Sequence, residues 1–377
     1  MNPLKFALLL IFLPGICAVS SGQKDESLIL TFDEHKSPVL SVAFSPDDQI
    51  IASGSEDMVI YLWKRSSGEI VKTFTGHTYK IQYLEFSPNG EKLISAAGPQ
   101  VFVWDLESGT RKNIPGHRTH VWNARYNTNG DQIATTSLVS TFRIWDAESL
   151  EEIHTFDGHK KSTLAVAFSP DNSIIASGSL DLSVRFWDMQ TKEEIKNISA
   201  HGGNIYSLDF SPDGKLLVST SNDEIVKLWN VETGTINRLL SGHQYAVMFA
   251  RFSPDSKYLV TASYDMTAKL WGVSTGHCIY TFIDHEDVVN VADFSHDGQN
   301  IITGSSDGKV RLWEISPRFF AEYYYWEELK QEMDASPLFA PREKSEKKAD
   351  YNARLEKADE YKKELHRKYY QKYLEEK

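Results

Sequence analysis

The sequence predicts an all-β fold, a seven-bladed β-propeller of four-stranded antiparallel blades followed by a charged α-helical tail, and three observations carry that reading. Seven tryptophans, Trp63, Trp104, Trp145, Trp187, Trp229, Trp271 and Trp313, recur at intervals of 41, 41, 42, 42, 42 and 42 residues. Seven histidines, His35, His77, His117, His159, His201, His243 and His285, keep the same period, four of them directly after Gly. Within each repeat, apolar alternation runs into a turn such as Phe210-Ser211-Pro212-Asp213-Gly214, then residues 216–220, then Asn222-Asp223, then residues 225–229. That is a succession of short strands and tight turns. Four strands in about 42 residues is the period of a propeller blade, and one blade cannot bury both its faces alone. Seven blades must therefore close radially.

The chain begins with a different pattern. Residues 1–5 are short and basic, 6–13 are uninterrupted apolar residues, and Pro14-Gly15 precedes the small residues Ala18, Ser20 and Ser21. This order resembles a secretory signal peptide, 1–20, cleaved after Ser20. Cys17 behind the apolar run offers a second reading, a lipid anchor, although Ile16 stands where a lipoprotein site has a small residue. The run is too short for the roughly 20 residues that span a bilayer, so no transmembrane segment is expected. An exported protein follows as the expectation, periplasmic, envelope-associated or secreted, with a cytoplasmic one as the alternative.

Residues 24–314 form the expected propeller. In the last repeat the outermost strand is missing from the C-terminal side, while residues 28–32 precede the first His just as 71–74 precede the second. They are expected to supply that strand and close the ring. The body carries 38 acidic against 25 basic residues. Nucleic-acid affinity rests on cations that neutralise phosphate, so DNA and RNA are not expected partners.

Trp104-Asp105, Trp145-Asp146 and Trp187-Asp188 supply the dipeptide of the WD-repeat family, which the chain resembles over about residues 28–314. In that family a His before the first strand, a Ser or Thr on the second, an Asp in the next turn and the Trp on the third form a hydrogen-bonded set. Five repeats match throughout. They are His35, Ser53, Asp57, Trp63; His159, Ser177, Asp181, Trp187; His201, Ser219, Asp223, Trp229; His243, Thr261, Asp265, Trp271; and His285, Thr303, Asp307, Trp313. Blades two and three have Gly98 and Val139 at the Asp position, so His77 and His117 are expected to lack a partner and their blades to be looser. Ser, His and Asp recurring once per blade cannot converge on one substrate as a triad must, and a structural role is expected for them.

The resemblance also implies where ligands bind: at the channel mouth, through residues five after each His and residues just before the turn Asp. Trp122, Leu138, Leu164, Leu180, Tyr206, Met248 and Tyr264 occupy such places on blades three to six and form the expected partner-binding patch. Exposed aromatic and aliphatic residues of this kind mark interfaces. His120, near this mouth, has no second ligand at metal-binding spacing, and a surface or stacking role is expected. Phosphate-loop, HExxH and serine-elbow motifs are missing from the sequence. No catalytic residue, metal or cofactor is expected.

After Trp313 the period ends. Residues 315–342, with the cluster Phe319-Phe320-Ala321-Glu322-Tyr323-Tyr324-Tyr325-Trp326, are expected as an aromatic linker, and 343–377 as a charged helical tail. Tyr351, Leu355, Ala358, Leu365, Tyr369 and Tyr373 give that tail a narrow apolar stripe, suited to docking or to a coiled coil. The function expected is a non-catalytic scaffold binding protein or peptide partners at the channel mouth. The alternative is a small-ligand receptor or a propeller enzyme using the same channel.

Overall fold

The computed structural model describes residues 27–343 and 345–376. It divides into two compact units, one ending at Glu314 and one starting at Ile315. Each is described separately. The readings placed on residues 1–20, the export signal and the lipid anchor at Cys17, lie outside the described residues.

The first unit consists of seven four-stranded antiparallel sheets. Blade one is typical: Val39–Phe44, Ile50–Ser55, Ile60–Lys64 and Ile70–Phe74 pair in sequence order from the channel outward. Its second strand is buried almost throughout while its outermost strand is mostly exposed, so apolar content declines with distance from the axis. The core lies between blades. One cluster joins Ala52, Ile60 and Leu62 of blade one to Ile81, Leu84 and Leu93 of blade two, and comparable clusters sit at other seams.

Blade seven is assembled from both ends of the repeat region. Leu28–Phe32 pairs antiparallel with Val310–Glu314, and the Glu314 amide donates to the Ser27 carbonyl at 2.8 Å. Side chains tie this blade to blade one: Asn290 Nδ2 donates to the Val39 carbonyl at 2.9 Å, and Asp48 accepts from the amides of His296 and Asp297, both at 2.8 Å.

Asp48 belongs to a set that periodicity does not reveal. The turn between the first and second strand needs one residue in the left-handed region, filled by Gly90, Gly130, Gly214 and Gly298 in four blades. The other three carry Asp48, Asn172 and Ser256 at φ 58°, 59° and 61°. Short polar side chains tolerate that conformation, and here each reaches the preceding blade. Asn172 Oδ1 accepts from the Thr128 amide at 3.1 Å, and Ser256 Oγ from the Asp213 amide at 3.2 Å. These three residues staple blade seven to one, three to four, and five to six.

The second unit is helical: α1 (Pro317–Tyr324), α2 (Trp326–Ala335), a 3-10 turn Pro337–Phe339, and α3 (Lys348–Glu376). The stretch expected as a linker thus contains two helices. Ser316 caps α1 by accepting from the Arg318 amide, and Pro317 opens its first turn, a helix-start signature. The tyrosine stripe of α3 is occupied within this unit. Phe320 and Tyr324 stack on Tyr373 at 5.1 and 4.7 Å, and Tyr325 stacks on Tyr369 at 5.5 Å. Ala358 and Leu365 are buried with them, whereas Leu355 is exposed. The coiled-coil reading of α3 is therefore not supported, because its stripe already faces α1 and α2. Among the described residues no helix is long and apolar enough to cross a membrane.

Candidate partner-binding site

Each blade's histidine loop and its second turn meet at one rim of the ring, called here the upper mouth. In five of the seven blades the rim is held by a relay that runs through the blade. In blade six Trp271 Nε1 donates to Thr261 Oγ1 at 2.8 Å, Thr261 Oγ1 lies 2.6 Å from His243 Nε2, and His243 Nδ1 lies 2.7 Å from Asp265. Asp265 also accepts from the Gln244 amide at 3.1 Å. A carboxylate can only accept, which places the imidazole proton on Nδ1 and leaves Nε2 to accept the hydroxyl proton. The same relay links His35, Ser53, Asp57 and Trp63; His159, Ser177, Asp181 and Trp187; His201, Ser219, Asp223 and Trp229; and His285, Thr303, Asp307 and Trp313. Burial lowers each of these histidines, so they stay neutral. Burial raises the Asp265 carboxyl, but His243 together with the Thr267 hydroxyl and the Gln244 amide outweighs it and holds the group well below the usual range.

Blade two departs from expectation. His77 Nδ1 has an acceptor after all, Gln100 Oε1 at 3.3 Å, and the same oxygen accepts from the Thr78 amide at 3.0 Å. The turn is shortened to Gly98-Pro99 between paired Ala97 and Gln100, with Gly98 at φ 56° under the Tyr79 ring. Gln100 therefore occupies in space the place that Asp holds one residue earlier in the longer turns. Blade three lacks the acid altogether: His117 lies 3.1 Å from Thr135 Oγ1, and Trp145 donates to that hydroxyl at 2.7 Å. Without a carboxylate, burial drives both histidines down to about 4.

The innermost strand of every blade carries a bulge, and the bulged residue is the one five after the histidine. In blade one Val39 pairs with Ser55 and Ser41 with Gly54, which leaves Leu40 unpaired. Gln82, Trp122, Leu164, Tyr206, Met248 and Asn290 are left over in the same way. A bulge re-aims its side chain, which accounts for a ring of such residues at the mouth. Six of the seven line a cavity of about 190 Å³ there, together with Glu56, Lys80, Tyr264 and Ser306.

The seven residues expected to bind a partner separate into two groups. Trp122, Tyr206, Met248 and Tyr264 line the cavity; Leu138, Leu164 and Leu180 do not. Leu164 is a correction: at 2% exposure it offers no surface, although Leu40 at the equivalent place in blade one lines the cavity. Leu138 is 42% exposed and stands outside the cavity with Val139. The other side of the mouth is polar and internally paired, through Lys80–Glu56 at 3.1 Å and Asn290 Nδ2 to Ser306 Oγ at 3.0 Å. Asn123 also lines the cavity, and its Oδ1 has no hydrogen-bond partner among the described residues. His120 meets the ring of Tyr79 edge-on at 5.8 Å. No group of His, Cys, Asp and Glu among the described residues is arranged to hold a metal ion.

The WD40 model, described as WD domain, G-beta repeat, matches seven times, at residues 26–64, 68–105, 109–146, 150–188, 192–230, 234–272 and 276–314. The chain belongs to the WD-repeat family. Similar proteins include nuclear distribution protein PAC1 of Fusarium vanettenii, 33% identical over 139 residues, which are 33% of this chain and 31% of that protein. PAC1 of Gibberella zeae is 31% identical over 138 residues, 33% of this chain and 30% of that one. Nuclear distribution protein nudF of Aspergillus niger is 31% identical over 125 residues, 32% and 28% of the two chains. The matched stretch spans about a third of these curated relatives.

The family is one of repeat propellers, and these relatives, named for nuclear distribution and not for a reaction, agree with the expected protein-interaction propeller. The expectation of an exported protein is corrected by the same relatives, which are named for nuclear distribution, a role inside the cell.

Proposed function

We propose that the upper mouth binds a segment of a protein partner, with Trp122, Tyr206, Met248 and Tyr264 providing its apolar contact area and the Oδ1 of Asn123 accepting a hydrogen bond from it. The observation that carries this reading is the bulge in each inner strand, which turns Trp122, Tyr206 and Met248 out around one cavity that Tyr264 also lines. Tryptophan and tyrosine give large rigid area with a polar handle, the residue types that dominate binding energy at interfaces. The cavity's size favours a partner's side chain over a free ligand: about 190 Å³ is below the roughly 300–1,000 Å³ of small-molecule pockets. The relatives' names do not identify the partner, because 204 curated proteins match this chain and the shared stretch is repeat sequence.

The test compares two variants of the full chain in affinity capture, each checked for folding by circular dichroism. One carries Trp122→Ala, Tyr206→Ala and Tyr264→Ala; the other carries Leu138→Ala and Leu180→Ala outside the cavity. Partners lost with the first and retained with the second support the mouth. Partners retained by both would overturn it.

A further inference from the structure

The residue eight after each histidine occupies one place on the innermost strand of every blade. From blade one onward these are Ala43, Glu85, Arg125, Ala167, Asp209, Arg251 and Asp293. Arg125 reaches Glu85 at 3.3 Å on one side and, past the alanine of blade four, Asp209 at 3.2 Å on the other. Arg251 donates to Asp209 at 3.1 Å and to the Tyr83 hydroxyl at 2.8 Å. Glu85 and Asp209 each take a backbone amide as well, from Tyr126 at 2.7 Å and from Phe252 at 3.1 Å.

Asp293 is served far less well. Its hydrogen bond comes from the adjoining Phe294 amide at 2.9 Å, and Arg251 Nε stands 4.0 Å away, beyond hydrogen-bond reach. Three acids face two bases. Around the ring the signs alternate except at blade one, whose innermost strand lies between those of blades seven and two. There Ala43 separates Asp293 from Glu85, two acids with no cation between them. Ala167 has no such effect, since it separates Arg125 from Asp209, which attract directly.

A cavity of about 540 Å³ opens at this place, toward the rim opposite the histidine loops, and Ala43, Glu85 and Asp293 all line it. Ser41, Tyr83 and Phe249 line both this cavity and the upper one, and so stand between them. Phe44, Phe86 and Phe294 are among its walls. So is Tyr126, 7% exposed, whose hydroxyl has no hydrogen-bond partner among the described residues.

From this geometry we infer that the lower channel is a binding site for an organic cation, a guanidinium or primary ammonium group, seated over Ala43 between Asp293 and Glu85. Such a group completes the alternation that the sequence breaks at blade one. It relieves Asp293, whose burial is costly without an opposite charge in contact, and gives Glu85 a second cation beside Arg125, while the phenylalanine walls favour a cation over their faces. The titration of the two acids fits their place: burial pushes Glu85 up, and pushes Asp293 up to about 6 against the pull of Arg251. The shared chemistry has two sources, a free small guanidine or amine, and an Arg or Lys side chain of a bound chain.

The experiment is calorimetric titration of the full chain with three probes: agmatine, the peptide acetyl-Gly-Arg-Gly-amide, and the same peptide with neutral citrulline for arginine. Agmatine binding alone identifies a small free cation as the source, and binding of both cations identifies a side chain. Either is expected to weaken at least tenfold in Asp293→Asn and in Ala43→Arg, which supplies the cation from within and should also melt higher than the parent. Should the cationic probes bind no better than the citrulline peptide, or bind both variants as they bind the parent, the inference is overturned. Asp293→Asn keeps that decision open if Ala43→Arg does not fold.

Discussion

Blades six and three share a Thr-Trp pair at the same spacing, yet their rims are held differently. In blade six Asp265 gathers His243, the Gln244 amide, and the amide and hydroxyl of Thr267. In blade three no acid does so, and His117 keeps only its contact to Thr135. Blade two lies between, with the neutral Gln100 bridging His77 and Thr78. The comparison teaches that the Trp and hydroxyl fix the core of a blade, whereas the acid ties the histidine loop to the second turn. An acid with several donors in a half-buried place is therefore worth more than the same donors met by an amide.

The largest expected effect breaks the strong end of that series. Asp265→Ala leaves His243 and two amides without their acceptor and is expected to cost about 3 kcal/mol, against about 1 kcal/mol for Gln100→Ala, read by chemical unfolding. Equal losses would show that the charge contributes nothing.

Acid comes next. His77 and His117 titrate near 4 in the fold and near their ordinary value when unfolded. Their stabilising contribution is thus complete above about pH 6.5 and is lost as pH falls from there toward 4, because the unfolded chain takes up the protons first. The loss is on the order of 2 kcal/mol for each. Melting curves at pH 7.5 and 5 are expected to converge more in His117→Gln than in His201→Gln, since Asp223 partly offsets the charge on His201. An identical pH response in the two variants would refute this.

The smallest effect strengthens the weak end. Val139 is at the Asp position and partly exposed. Val139→Asp gives His117 an acceptor and is expected to raise stability by about 0.5–1 kcal/mol and the His117 pKa with it, measured by NMR titration. An unchanged pKa would mean that the blade-three turn holds the carboxylate out of reach.

Much of this architecture is legible in the residues, because a 42-residue beat of Trp and His allows few other folds. The five relays are legible for the same reason: their members keep constant separations. Gln100 is hidden because a one-residue deletion in the turn moves it out of column while its longer side chain restores its place in space. The charges at Glu85, Arg125, Asp209, Arg251 and Asp293 alternate with apolar residues and read as the solvated face of a strand, since sequence cannot distinguish a wet channel from outer solvent. Leu164 shows that a shared bulge position does not give a shared exposure: the same side chain lines the cavity at Leu40 and is buried at Leu164, so the surroundings and not the residue type decide. The two helices after Ser316 differ from the expected linker although Ser316-Pro317 signals their start, because the run of aromatic residues that follows masks a helical period.

The pairing of Leu28–Phe32 with Val310–Glu314 has a consequence for how such a chain can change in length. An open array of repeats has first and last members, capped by polar faces, and can gain or lose a unit with little effect on the others. In this ring no repeat is terminal. The sheet that finishes the count also begins it, so deleting one unit of 42 residues forces six blades to meet at a tighter angle, and inserting one forces eight to meet at a wider one. Every inter-blade seam would have to repack at once. The number seven is thus fixed by the ring as a whole, and substitutions within blades remain open to change while the blade count does not.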